Sequence, residues 1–409
     1  MDTSAWIALG EKYIMSTYAR QPLVLVRGQG TRVWDVEGRE YLDFVGGIAV
    51  NSLGHCHPRV VEALKDQAQK LLHCSNLYWN IPQIQLAQLL VEHSALDKVF
   101  FCNSGAEAVE AAIKLARKYA KERLGPDKYE IITMRRSFHG RTMGALAATG
   151  QEKLHQGFAP LPPGFRYVPF NDLDSLKAAL SPHTCAIMLE PVQGEGGVHV
   201  AEEDYLQGVA EICRKQGLLL IFDEIQCGLG RTGYLFACEH YGIEPDIMTL
   251  AKALGGGVAI GAMLAKEEVA RAFRPGDHAS TFGGNPLATA AGAAAFKALL
   301  EEDLINRART LGEYLYYRLE ELAHKFPSLV VEVRGRGLLL GMEMRIPVAP
   351  VVEACREKGL LVNGVQGNVL RLVPPLVVSK QEIDQALCII KEVLEKISWE
   401  EGSCAYGQT

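Results

Sequence analysis

The run Leu218-Leu-Leu-Ile-Phe222, closed by Asp223-Glu224, constrains the fold more than any other stretch of this chain. Side chains on a strand alternate between two faces, so an unbroken apolar run buries both. Such a strand belongs inside a parallel sheet covered by helices. Comparable runs occur at Val99–Cys102, Ile131–Met134, Ala186–Leu189, Ile247–Leu250 and Gly261–Leu264. The gaps between them are read as helical crossovers, which predicts an α/β chain with a mostly parallel central sheet over residues 60–294.

In open α/β sheets, ligands bind at the carboxyl ends of the strands. Two residues at that rim stand out. Lys252 follows the apolar run Ile247–Leu250 and precedes Gly255-Gly-Gly257. Alone it would read as a surface lysine beside a turn, but a desolvated amine there has a lowered pKa and can form a Schiff base with a carbonyl compound. Asp223 ends the next buried strand, and an acid against apolar residues needs a cationic or hydrogen-bonding partner. A lysine and an aspartate so placed are how proteins hold pyridoxal phosphate (PLP). A phosphate cradle is offered by Val99-Phe-Phe-Cys-Asn-Ser-Gly-Ala-Glu107, a strand running through Ser104-Gly105 into a long helix. Ser104 and Glu107 have capping-box spacing, and a helix start with a glycine is also an anion site.

The remaining composition sets outer bounds. Hydrophobic content of 48% and charged content of 22% over 409 residues describe a globular chain long enough for two domains. A net charge of −6, without a basic stretch, argues against nucleic acid, and no apolar run is long enough to span a bilayer. The first ten residues lack a signal peptide's basic flank, and ten cysteines without Cys-x-x-Cys spacing suit a reducing cytoplasm. His55-Cys56-His57 has no second ligand cluster to complete a metal site, so no metal is expected.

A set of motifs occurs in one order: Asn103–Ala108, Ser137–Thr142, Glu190–Glu195, Asp223–Gln226, Gly230–Gly233 and Thr281–Pro286. On these residues the chain resembles the class III (subgroup II) PLP-dependent aminotransferases over nearly its whole length. Within that class, Gly47–Pro58 is similar to the acetylornithine-specific branch. The resemblance implies a fold type I transferase. Residues 1–59 and 295–402 would form a smaller α+β domain beside the large domain of 60–294, with 403–409 as a disordered tail.

It also implies roles. Lys252 would carry PLP and shuttle the proton, Asp223 would keep the ring nitrogen protonated, and Gln226 would lie near the phenolic oxygen. Phe138 would cover the ring. Ser104, Gly105 and Ala106 would hold the phosphate, joined by Thr281 from a neighbouring subunit, so a homodimer is expected. The reaction implied moves the δ-amino group of acetylornithine to 2-oxoglutarate, giving glutamate, and each substrate half needs a guanidinium for its carboxylates. Arg141 matches the residue for the distal carboxylate and Arg371 the one for glutamate's α-carboxylate. Glu195 matches the residue that pairs with Arg371 when no α-carboxylate is present, and Tyr18 a substrate-contacting tyrosine. Ile48 departs from the ornithine-specific enzymes, where a tyrosine is expected, and leaves room for an acylated amine. It also resembles 4-aminobutyrate aminotransferases.

Competing readings are weaker. Gly228-Leu-Gly-Arg-Thr-Gly233 has the formal spacing of a dinucleotide loop, but Asp223–Cys227 separate it from its strand and Asp246 precedes a strand instead of ending one. A non-catalytic PLP protein would be expected to have lost Lys252, Asp223 or an arginine, and an aminomutase does not need the Arg371–Glu195 pair.

Overall fold

The computed structural model of the chain describes residues 1–406, with side chains through Trp399. The apolar runs form a seven-stranded sheet. Its strands are β1 (Lys98–Cys102), β2 (Glu130–Met134), β3 (Phe165–Val168), β4 (Thr184–Leu189), β5 (Leu219–Asp223), β6 (Ile247–Leu250) and β7 (Gly261–Ala265). They lie in the order β1-β7-β6-β5-β4-β2-β3. Every residue of β2, β4, β5, β6 and β7 is buried, as unbroken apolar runs require. The sequence reading missed β3: Phe165-Arg-Tyr-Val168 is a half-buried edge strand without a continuous apolar signature.

Strands β2 to β6 run parallel to one another. β7, however, is antiparallel to both β6 and β1. The expectation of a helical crossover in every gap fails here. Residues 251–260 hold only a 3₁₀ turn at Lys252–Gly255, and a parallel return needs a dozen or more residues. The short connection folds β7 back beside β6 and leaves Lys252 at the turn.

α1 (Gly105–Arg123) packs on the sheet through Val109, Ile113, Ala116 and Ala120, the apolar face that the periodicity predicts. The N-terminal helix spans Thr3–Tyr13 and ends where Ile14 turns extended. Strands Leu25–Gln29, Arg32–Asp35 and Glu40–Asp43 follow, and the last pairs with Leu360–Leu361, joining the two ends of the chain. α2 (Pro286–Glu301) and α3 (Leu304–Lys325) lead into an antiparallel sheet of β8 (Val330–Arg336), β9 (Leu339–Met344), β10 (Asn363–Val365) and β11 (Val369–Leu372). Its order is β8-β9-β11-β10. α4 spans Lys380–Tyr406 and so runs into the segment 403–409 expected as a tail. No proline stops that helix; residues 407–409 lie outside the described residues.

The Gly228–Gly233 loop opens no helix, which removes the context a dinucleotide site needs. Its Arg231 is buried and acts as a rivet. Nη1 donates to the carbonyls of Leu338 (3.0 Å) and Pro374 (2.5 Å), and Nη2 donates to Ser52 Oγ at 3.0 Å. Beside it, α3 crosses the β8–β9 turn at Gly312, where a Cβ would lie 2.3 Å from the carbonyl of Gly337.

That crossing sets a test with opposed terms. Helix propensity favours alanine over glycine by about 1 kcal/mol, while overpacking against backbone costs about 1–3 kcal/mol. Gly312→Ala is expected to lower the urea midpoint of unfolding. A raised midpoint would show that the turn yields and that the close approach is not required.

Candidate active site

A cavity of about 500 Å³ opens at the carboxyl ends of the central strands. Each strand exit delivers a side chain to it: β1 gives Asn103 and Ser104, β2 leads to Phe138 and His139, β4 gives Glu190, β5 Asp223 and β6 Lys252. Because β4 and β5 pair with Leu189 opposite Phe222, the two acids that follow stand side by side.

These acids are held differently. Asp223 Oδ2 lies 2.7 Å from His139 Nδ1, and Oδ1 accepts from the Ile225 N–H at 3.1 Å. Glu190 Oε2 accepts from the Phe138 N–H at 3.0 Å. Burial first, and the neighbouring Asp223 charge second, push the Glu190 carboxyl well above the usual range. One acid is paired and the other is driven toward its neutral form. His139 is 1% exposed and its Nε2 has no partner among the described residues. Neither His139 nor Glu190 received a role from the sequence reading. The signal for His139 was its place in Ser137–Thr142, but its aspartate partner comes from a strand 84 residues away.

Lys252 is half-buried at this rim. Burial brings its amine down to about 8, against the opposing pull of Glu195. Its φ is 44°, a left-handed conformation that side-chain-bearing residues avoid and that marks strain stored at functional positions.

The phosphate cradle is built as a cap with an offset. Ser104 Oγ accepts from the Glu107 N–H at 3.3 Å, whereas Glu107 Oε2 accepts from the Asn103 N–H at 2.5 Å. In a capping box that second bond falls on the cap residue itself; here it lands one residue earlier. The N–H groups of Gly105 and Ala106, in the first turn of α1, have no acceptor within the helix. A Cβ at position 105 would meet Ile225 Cδ1 at 2.8 Å, so glycine keeps this approach open.

On the substrate side, Arg371 is fully buried behind Glu195 and Gln226. Its Nη1 donates to Glu195 Oε1 at 2.6 Å and to Gln226 Oε1 at 3.2 Å, and Nε donates to Asn363 Oδ1 at 3.4 Å. Nη2 has no partner among the described residues. Burial opposes ionisation of Glu195, yet Arg371 and Lys252 together hold it below the ordinary carboxylate range. Gln226 reaches this network because residue 194 is glycine: a Cβ there would sit 1.5 Å from Gln226 Oε1. Arg141 lines the cavity with its guanidinium 5.6 Å from the Phe138 ring centre.

Two expected residues are not brought in by the single chain. Thr281 and Tyr18 are exposed and outside the cavity lining. Ile48 is also outside it, in a left-handed turn at Gly46–Ala49. The histidines flanking Cys56 are engaged with acids: His55 Nε2 is 2.7 Å from Asp43 Oδ2 and His57 Nε2 is 3.3 Å from Glu302 Oε2.

These groups fit PLP. Free N–H donors at a helix start suit its phosphate, Asp223 a protonated ring nitrogen, Phe138 the ring and Lys252 the aldehyde. Acylation of Lys252 in the cofactor-free protein is expected to rise with pH through a midpoint near 8, below the ordinary 10.5. Glu195→Gln removes the largest opposing pull and should move the midpoint lower still. The sign for stability follows: between about 8 and 10.5 the unfolded chain binds more protons, so this site's contribution to stability grows with pH. Peptide mapping of the acylated lysine across pH reads the midpoint, and a value near 10.5 would contradict the desolvated site.

Known proteins share this arrangement of sequence and fold. A family model, Aminotransferase class-III, matches residues 13–394. The acetylornithine aminotransferase of Caldanaerobacter subterraneus subsp. tengcongensis is 57% identical, over 96% of this chain and 99% of its own. That of Methanocaldococcus jannaschii is 54% identical, over 97% and 100%. Among solved structures, an ornithine aminotransferase of Toxoplasma gondii ME49 superposes with a TM-score of 0.95 at 38% identity, covering 98% of this chain and 96% of its own. The acetylornithine aminotransferase of Elizabethkingia anophelis gives 0.87 at 38% identity, covering 97% and 100%. Another Toxoplasma gondii ornithine aminotransferase structure has PLP at its active site in partial occupancy. With the match running from Tyr13 to Leu394 and both lobes superposing, the chain belongs to the class-III aminotransferases.

Proposed function

We propose that the protein transfers the δ-amino group of N2-acetylornithine to 2-oxoglutarate, giving N-acetylglutamate 5-semialdehyde and glutamate. The observation that carries this reading is the ion pair of the buried Arg371 with Glu195 at 2.6 Å, at the same site as Lys252 and Asp223. Relatives about half identical over nearly the full chain are acetylornithine aminotransferases, which supports the substrate.

The cofactor is PLP, which when bound supplies an electron sink for the carbon that bears the amine. Gly105 and Ala106 would offer N–H groups to its phosphate, with Ser104 capping the same helix. Asp223, oriented by His139, would hold a proton on its ring nitrogen, Gln226 would lie near its phenolic oxygen, and Phe138 would cover the ring. Lys252 Nζ would take the proton from the substrate carbon that bears the amine and deliver it to C4′ of the cofactor, and an amine with a pKa near 8 can both accept and donate at neutral pH.

Arg141 would bind the carboxylate remote from the reacting carbon in either substrate. Arg371 would bind the α-carboxylate of glutamate, for which Glu195 must swing away. With acetylornithine, no carboxylate lies beside the reacting carbon, and Glu195 keeps the buried guanidinium neutralised. Tyr18 and Thr281 would join through a homodimer, Thr281 reaching the partner's phosphate; their exposure in the single chain is consistent with that. The same reading divides the chain into a large domain of 60–294 and a small one of 1–59 with 295–402, supported by pairing of Glu40–Asp43 with Leu360–Leu361. Nine free cysteines among the described residues support a reducing cytoplasm.

Glu195→Ala is expected to slow the acetylornithine half-reaction by about 2–4 kcal/mol, the cost of an unpaired buried charge. The glutamate half-reaction should stay near wild type. Equal losses in single-turnover measurements of the two halves would refute the switch.

Arg141→Lys keeps the charge and loses the bidentate fork, so substrate binding should weaken by about 1.5–3 kcal/mol in both halves. Assays of acetylornithine, succinylornithine, ornithine and 4-aminobutyrate side by side decide the donor. If 4-aminobutyrate is the better substrate and Arg141→Lys spares acetylornithine turnover, the named reaction is wrong.

A further inference from the structure

A second cavity, of about 360 Å³, lies between the loop that runs on from Gln226, the β8–β9 hairpin and α3. It shares no lining residue with the catalytic cavity. Thr232, Tyr234, His240, Arg309, Glu313 and Arg336 are among the residues that line it.

Arg336 is held in place by neutral groups. Its Nη1 is 3.2 Å from His240 Nδ1, and its guanidinium carbon is 5.2 Å from the Tyr241 ring centre. His240 Nε2 lies 3.0 Å from the Thr232 carbonyl oxygen, a contact that only a proton-bearing nitrogen satisfies. Nδ1 is therefore the acceptor for Arg336, and the ring is neutral. Burial, and then Arg336 itself, bring the His240 pKa down to about 4.

Arg336 forms no ion pair among the described residues. On α3, Arg309 Nη2 donates to Asn306 Oδ1 at 2.7 Å, and Glu313 follows Arg309 at helical spacing on the cavity lining. Thr232, 2% exposed, adds a hydroxyl with no partner among the described residues. A guanidinium stacked on an aromatic ring, fixed by a neutral imidazole and retaining unused donors, is preorganised for an oxyanion. We propose that this cavity binds a small anion carrying a carboxylate or phosphate group, with Arg336 as its anchor. The site does not depend on the reaction assigned above.

The test is calorimetric titration of the holoenzyme at low ionic strength with inorganic phosphate and, separately, with acetate. Saturable binding at one site per chain is expected. Arg336→Gln should weaken it about tenfold or more, the loss of a charge-assisted contact. Arg336→Lys, which keeps the charge and the fold but not the fork, should fall between. Arg141→Lys, in the other cavity, should leave it unchanged. Binding of phosphate alone supports a phosphoryl ligand, and binding of both supports a general oxyanion site. No saturable binding, binding that survives both Arg336 variants, or binding abolished by Arg141→Lys would overturn the proposal.

Discussion

Asp223 is a carboxylate kept at the dry end of a strand buried on both faces, and the rest of the site is arranged around that constraint. Burial of an acid is costly unless it is paired, and the pairing here is a histidine 2.7 Å away that is itself sealed from water. The same dryness acts on the neighbours with opposite results. It raises Glu190, which has no cation in hydrogen-bond contact among the described residues, and lowers Lys252, which is a cation. One physical cause thus drives an acid toward its neutral form and lowers an amine within one cavity. Divergence of titrating groups within one cleft marks a candidate functional site.

The geometry of that cluster depends on places where no side chain can stand. Gly194 lets Gln226 reach the Arg371–Glu195 pair, and Gly105 lets Ile225 lie against the start of α1. Lys252 meets the opposite demand, because a lysine must occupy a left-handed position. The ten-residue return from β6 to β7 puts it there, and strain of this kind persists only where the surroundings over-determine it.

Most of the central sheet was legible because parallel strands are continuous apolar runs and their exits are where polar residues gather. Asp223, Lys252 and Ser104 could be found that way without a relative. What escaped had weaker or longer-range signals. β3 alternates at an edge, and the antiparallel direction of β7 was missed because the short gap before it was read as a crossover. His139 owes its importance to an aspartate on another strand, and Glu190 to a register that sets it beside Asp223. No local pattern encodes either relation. Thr281 and Tyr18 came from motif resemblance alone, and a single chain leaves both outside the cavity.

The two arginines proposed to bind substrate sit in unlike settings. Arg141 is exposed at the cavity mouth, where a guanidinium needs no permanent partner. Arg371 sits fully buried on β11, in a different sheet from Lys252, and a charge there must always be matched. Glu195 matches it at 2.6 Å, with its side chain 27% exposed beside a guanidinium at 0%. The pair is therefore asymmetric, with a buried cation and a carboxylate at the edge of solvent, the arrangement that the proposed switch would use. A site needing to accept one substrate with an α-carboxylate and another without it requires that asymmetry, since a rigid pair would exclude glutamate and a bare arginine would disfavour the other donor.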